Sequence, residues 1–115
     1  MDFQFNTGNK IDGGARMEAH FETRVRERLA RFEPRLSRLE VHVRDIDGIR
    51  RSGAQGVEAV LEARPKAGEP LTVSARGATP EEAVGSALKT LVGRLDATFG
   101  KSDRVRPQAG RDSGK

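Results

Sequence analysis

Apolar residues recur along this chain with two different periods, and the switches between them outline its elements. Phe3 and Phe5 alternate with Gln4 and Asn6, the pattern of a short strand with one buried face. Asn6-Thr7-Gly8-Asn9 carries turn chemistry, and Asp12-Gly13-Gly14 ends the irregular stretch that follows. From about Ala15 to Phe32 the period becomes helical, with Met17, Phe21, Val25, Leu29 and Phe32 on one stripe. Glu33-Pro34 is expected to close this helix, because a residue before proline avoids the helical region.

Strand periodicity then returns. Leu39, Val41 and Val43 point one way and Arg38, Glu40, His42 and Arg44 the other, a half-exposed strand over Arg38 to Asp45. Asp45 to Gly56 reads as a polar loop with turn signals at Asp47-Gly48 and Ser52-Gly53. Val57 to Arg64 is a second strand, with Val57, Ala59, Leu61 and Ala63 toward the core. Pro65-Lys66-Ala67-Gly68-Glu69 is a hairpin loop, and Leu71, Val73 and Ala75 mark another strand. Thr79 then offers an N-cap, Pro80 fits the first helical position, and Glu82 sits where it completes a capping box. Val84, Leu88, Leu91 and Leu95 form the stripe of this last helix, flanked by Ala87 and Val92. Gly85 and Gly93 each cost roughly 1 kcal/mol against Ala, so the helix is expected to rely on packing, with Gly100 as its stop.

The order β-α-β-β-β-α implies an α+β two-layer sandwich. Three consecutive strands form a meander in a four-stranded sheet, with two helices on one face and the other face wet. Residues 1–100 are expected to form one domain and residues 101–115 a basic, disordered tail.

Composition narrows the chemistry. The chain has 115 residues, of which 35% are hydrophobic and 33% charged, so the core is economical and most other positions are solvated. No cysteine is present, which excludes disulfides, thiolate chemistry and Cys-based zinc sites. The first residues do not form a signal peptide, and no apolar run reaches the roughly 18 residues of a membrane span. A soluble cytoplasmic protein is expected. Net charge is +4, and the last fifteen residues carry five basic and two acidic side chains, or +3, so the body is nearly neutral. A basic face on the body must therefore come from segregation of charge.

Catalytic signatures are missing. His20 and His42 have no second His or patterned carboxylate at ligand spacing. Asp45-Ile46-Asp47-Gly48 places its Gly too early for a calcium loop, and Gly56 stands where the bidentate Glu belongs. Asn6-Thr7-Gly8-Asn9-Lys10 lacks phosphate-loop spacing, and no Ser sits in a Gly-x-Ser-x-Gly elbow. The expectation is a protein that is not an enzyme, with no catalytic residue, metal, cofactor or small-molecule substrate.

The first helix is the informative element. With Arg16 at zero, His20, Arg24, Arg28 and Arg31 fall at about 40°, 80°, 120° and 60°. The apolar stripe centres near about 160°, and Glu18, Glu22 and Glu33 occupy the far flank at about 200° to 260°. One edge is thus basic and the other acidic. Solvated i,i+4 pairs, Glu22–Arg26 and Glu27–Arg31, account for two arginines and leave Arg16, Arg24 and Arg28 as an unpaired row. The alternative is an edge that contacts phosphates, for which arginine, 16 of the 21 basic residues, is the better fork. All five Phe belong to core stripes and no Tyr or Trp is present, so base stacking on the open sheet face is not expected.

Three stretches carry a resemblance to a known family. They are Phe5-Asn6-Thr7-Gly8-Asn9-Lys10-Ile11-Asp12; Phe32 through Leu36 with Leu39, Val41 and Val43; and Val73-Ser74-Ala75-Arg76-Gly77-Ala78-Thr79 followed by Ala83-Val84, Leu88, Leu91, Arg94 and Leu95. Over about Phe3 to Phe99 the chain resembles the ribosome-associated inhibitor and hibernation-promoting factor family, in the short form that lacks the C-terminal domain used for ribosome dimerisation. The resemblance implies the β-α-β-β-β-α fold. It also implies binding to rRNA of the small ribosomal subunit, near the decoding centre and the mRNA and tRNA path, where the protein blocks translation by occupancy in stationary phase or stress. The family sets basic residues of both helices against rRNA phosphates. Arg24 and Arg28 match such positions, and Arg16, His20 and Arg31 extend the edge. The second helix departs: Thr90, Gly93 and Ala97 stand where basic residues are usual, Lys89 and Arg94 are shifted by a residue, and Lys101, Arg104 and Arg106 follow from the tail. The expected RNA-contacting set is Arg16, His20, Arg24, Arg28, Arg31, Lys89, Arg94, Lys101 and Arg104, on a protein that is monomeric when free and does not touch membrane. The alternative is a protein-interaction regulator of the same fold that has lost strong rRNA binding.

Overall fold

The computed structural model describes residues 1–8, 14–46 and 56–105, with side chains described as far as Gly100. The elements are β1 (Asp2–Thr7), α1 (Gly14–Arg28), a 3₁₀ helix (Ala30–Arg35), β2 (Leu36–Asp45), β3 (Val57–Pro65), β4 (Leu71–Gly77) and α2 (Pro80–Val105). The sheet order is β1-β2-β3-β4. β1 runs parallel to β2, and the other two pairings are antiparallel. This is the α+β sandwich expected from the apolar pattern. The turn signals at Asp47-Gly48 and Ser52-Gly53, the segment from Asn9 to Gly13, and the tail beyond Val105 lie outside the described residues.

Register converts the alternating sequence into rows that cross the sheet. Phe3, Leu39, Ala63 and Leu71 form one apolar row; Phe5, Val41, Leu61 and Val73 form the next. Val43, Ala59 and Ala75 form a third. A register shift between Leu36 and Arg38 lets Leu36 and Leu39 both face the core despite their odd separation. The helices close over these rows through Phe21 and Val25 of α1, Leu29 just after it, and Val84, Ala87, Leu88, Leu91 and Leu95 of α2, in one continuous core. Phe5 stacks on Phe21 with ring centres 5.6 Å apart, and Phe32 meets Phe99 at 5.8 Å.

Two helix ends differ from the sequence reading. The first helix leaves α geometry at Arg28 and continues as a 3₁₀ segment that contains Pro34. The change at Leu29 keeps Leu29, Phe32 and Leu36 buried on one side, and the Leu36 N–H donates to Glu33 O to close the segment. α2 does not stop at Gly100 but runs to Val105. Gly100 does not take the positive φ that a glycine stop requires, so the helix passes through it.

The start of α2 follows the sequence closely. The Glu82 N–H donates to Thr79 Oγ1 at 3.1 Å, and Glu82 Oε1 accepts the Ala78 N–H at 2.9 Å. The reciprocal carboxylate bond thus reaches one residue before the cap. Gly77 permits this tight entry, since a Cβ there would lie 2.7 Å from both Ala83 N and Glu82 Cβ. Gly93, by contrast, is exposed, and a Cβ there would meet nothing within 4 Å.

The two glycines should therefore respond oppositely to the same change. Gly93→Ala is expected to stabilise by about 0.5–1 kcal/mol, through helix propensity alone. Gly77→Ala is expected to destabilise by about 1–3 kcal/mol, through overpacking at the helix entry. Urea unfolding midpoints check both; a neutral Gly77→Ala would mean that the entry can relax.

Candidate nucleic-acid interface

Burial of Phe21, Val25 and Leu29 fixes how α1 is rotated, and that rotation turns its basic edge toward α2. What α2 presents in return is acidic at two points. Glu81, held in the first turn by the capped entry, accepts from His20, whose Nε2 lies 2.7 Å from Oε1. Its other oxygen, Oε2, accepts from Arg24 Nη1. Asp96, four turns further along, takes both arms of Arg31: Nη1 to Oδ1 at 2.5 Å and Nη2 to Oδ2 at 2.9 Å. The Arg31 guanidinium also lies over the Phe32 ring, 4.3 Å from its centre. The mutual hydrogen bond holds the Asp96 carboxyl below its ordinary value and raises Arg31 above its own.

These pairings redraw the first helix. Glu22–Arg26 forms as spaced, at 2.9 Å. Arg26 also donates to Glu33 at 2.6 Å and to the Met1 carbonyl at 3.1 Å, tying α1 to the 3₁₀ segment and the start of β1. Expected pair Glu27–Arg31 does not form, because the α-helix has ended at Arg28 and Arg31 no longer sits one turn above Glu27. Arg24 leaves the expected unpaired row by bonding Glu81. Arg16 and Arg28 remain exposed and without an ion-pair partner among the described residues.

Arg28 is not isolated. With Arg24, Arg76, Gly77, Glu81, Glu82, Gly85 and Ser86 it lines a shallow groove of about 550 Å³. Arg76 went unnoticed in the sequence as a site residue. Its only local signal is an outward register position at the end of β4, just before the α2 cap. Lys89 does not line this groove; it lies two turns beyond Glu81, on the same flank of α2 as Asp96, about 20° away round the helix. Arg94 sits about 140° further round the same helix, on the opposite flank, so the structure does not bring it to this groove. Arg16 and His20 border a separate, more apolar hollow with Met17, Phe21, Thr79 and Pro80. The side chains of Lys101 and Arg104 lie outside the described residues.

The open sheet face holds many charges, and several are paired within it. Arg44 donates to Glu58 at 2.8 Å and Arg64 to Glu62 at 3.3 Å. Glu40 lies directly across from Glu62, an unfavourable like-charge placement. His42 at 3.1 Å and Arg38 at 2.9 Å offset it, the latter in ion-pair rather than hydrogen-bond geometry. Both hold Glu40 below the ordinary carboxylate range, His42 most. Among the described residues no group of three or more His, Cys, Asp or Glu is placed to hold a metal ion. No described helix is long and apolar enough to cross a membrane.

Solved structures similar to this fold include the following two. The Protein Y N-terminal domain from Thermus thermophilus superposes with a TM-score of 0.62 at 15% identity, over 85% of this chain and 99% of that one. A ribosomal subunit interface protein from Coxiella burnetii gives 0.60 at 13% identity, over 87% of this chain and 99% of that one. No family model matches the chain, and neither does any curated protein sequence. The chain thus has the fold of the Protein Y N-terminal domain, and the resemblance read from the sequence holds at the level of the fold.

Asp96 gives a pH test of the seam. Its carboxyl is depressed from 3.8, so its contribution to stability is complete above that value and is lost as pH falls through the lower, folded one. Asp96→Asn is expected to unfold at slightly lower urea than wild type at neutral pH, and the two curves should converge on acidification. Equal midpoints at neutral pH would show that the pair contributes nothing.

Proposed function

We propose that this chain binds the small ribosomal subunit and inhibits translation by occupying the mRNA and tRNA path, without chemistry. The observation that carries this reading is the fold. This chain superposes on 99% of a protein named for the ribosomal subunit interface, with 87% of its own length covered. Fold alone does not define function, so the site must supply the rest. The seam supplies a basic groove without exposed aromatics, suited to phosphates and helical shape rather than to base reading.

Within this reading Arg28, Lys89 and Arg76 are the first phosphate contacts, because each is free of an intramolecular ion pair among the described residues. His20, Arg24 and Arg31 join only by releasing Glu81 and Asp96. Arg16 and the basic residues after Gly100 extend the contact beyond the groove, while Arg94 serves a different surface. The protein acts in the cytoplasm, in stationary phase or stress, as a monomer until it docks.

The neutralised ends of the seam favour a second reading, a regulator that keeps the fold and binds another protein in place of rRNA. Glu81 and Asp96 are the observation behind it, since they give the groove alternating rather than uniform charge.

Sucrose-gradient co-sedimentation with purified ribosomes at low and moderate salt separates the two. Wild type is expected to travel with small subunits at low salt and to leave them as salt rises. Arg28→Glu/Lys89→Glu should stay at the top of the gradient under all conditions while unfolding normally. Wild type that stays at the top even at low salt would defeat the ribosome reading and direct the search to a protein partner.

A further inference from the structure

We propose that Glu81 and Asp96 are affinity-setting residues, built-in competitors that occupy the guanidinium and imidazole groups of the seam where a phosphate would otherwise sit. The inference deepens the polyanion reading of this groove and rests on it. Both carboxylates take the place a phosphate oxygen would take. Asp96 engages both arms of Arg31 in the parallel fork that arginine also offers to phosphate. Glu81 gathers two donors from successive turns of α1, His20 and Arg24, as a bridging phosphate would.

Their exposure separates competition from support. Side chains of Glu81 and Asp96 are 45% and 50% accessible, and those of Arg24 and Arg31 are 41% and 61%. Pairs this exposed hold their partners weakly, so they do little to pre-organise the arginines for a ligand. Neither carboxylate leaves when a polyanion arrives, because both are fixed to α2. Each is then a negative charge beside incoming phosphates. The cost falls on binding: three basic groups must exchange partners, and two carboxylates are left facing the polyanion. Arg28 and Lys89, which lie between the two acids, are the groups that bind without exchange. Binding is thereby weaker and less steep in salt than the number of basic residues at the seam would suggest.

The test uses the full chain and a short fluorescein-labelled RNA duplex, read by anisotropy across a salt series. Glu81→Gln/Asp96→Asn is expected to bind roughly three- to tenfold more tightly than wild type at low salt. Its plot of log affinity against log salt should steepen by about one unit, as more basic groups release counterions. Glu18→Gln/Glu69→Gln removes the same charge from exposed positions away from the seam and should reproduce little of the gain. Arg24→Gln/Arg31→Gln should bind more weakly than wild type. Glu81→Gln and Asp96→Asn are also measured singly, so that a fold defect in one leaves the other as a test.

Unchanged or weaker binding of the double variant, no binding by any of these proteins at the lowest salt, or an equal gain from the control pair would each overturn the proposal. Ribosome co-sedimentation is scored separately. If wild type stays off ribosomes while the double variant gains on the duplex, the ribosome reading falls and the competitor role stands.

Discussion

A four-stranded sheet with one apolar face is stable in water only when that face is covered, and the rest of this structure depends on how the cover is made. Three apolar rows cross the sheet, and two helices lie side by side over them. Each helix must aim its stripe down. Whatever flanks the stripes on the inner side is then brought together above the core. For α1 the inner flank is His20, Arg24 and Arg28, with Arg31 following on the 3₁₀ segment. For α2 it is Glu81, Lys89 and Asp96. The seam is therefore a by-product of core burial, and its chemistry is set by residues that the core does not use.

This explains what could be read from the sequence and what could not. Stripes, alternating strands and the Thr79 cap are local patterns, and the structure keeps them. Glu22–Arg26 is local too, one helical turn apart, and it forms. The pairs that define the seam join residues 57 to 65 positions apart, so no spacing rule announces them. A helical wheel placed His20, Arg24, Arg28 and Arg31 on one edge correctly, but it could not say that α2 would meet that edge with two carboxylates. Lys89 and Arg94 looked equivalent as basic residues of one helix; only the packing of the Leu88 and Leu91 stripe separates them. Arg76 was hidden for a similar reason. Its strand register gives a sheet-face residue, and its place beside Arg28 depends on where β4 meets α1 and α2. Gly100 misled because composition does not reveal φ, and the bulge near Ser37 escaped because it resets an alternation that otherwise looks unbroken.

The same scaffold offers two polar surfaces with different electrostatic character. The open sheet face pairs Arg38, Arg44 and Arg64 with carboxylates of the same face, which favours solubility over recognition. The seam leaves Arg28 and Lys89 uncompensated between two compensated ends.

The parallel alignment of β1 with β2 sets how far along the chain the sheet must reach to be completed. β2, β3 and β4 follow one another as a meander, and α2 begins directly after β4, so these parts pair with their neighbours in sequence. β1 reaches its place only when the whole stretch from Thr7 to Leu36, α1 included, has been gathered over the sheet. Of the three strand pairings, that of β1 thus closes the longest loop. Without β1, β2 would present a bare edge and α1 would lose the Phe5 ring against which Phe21 stacks.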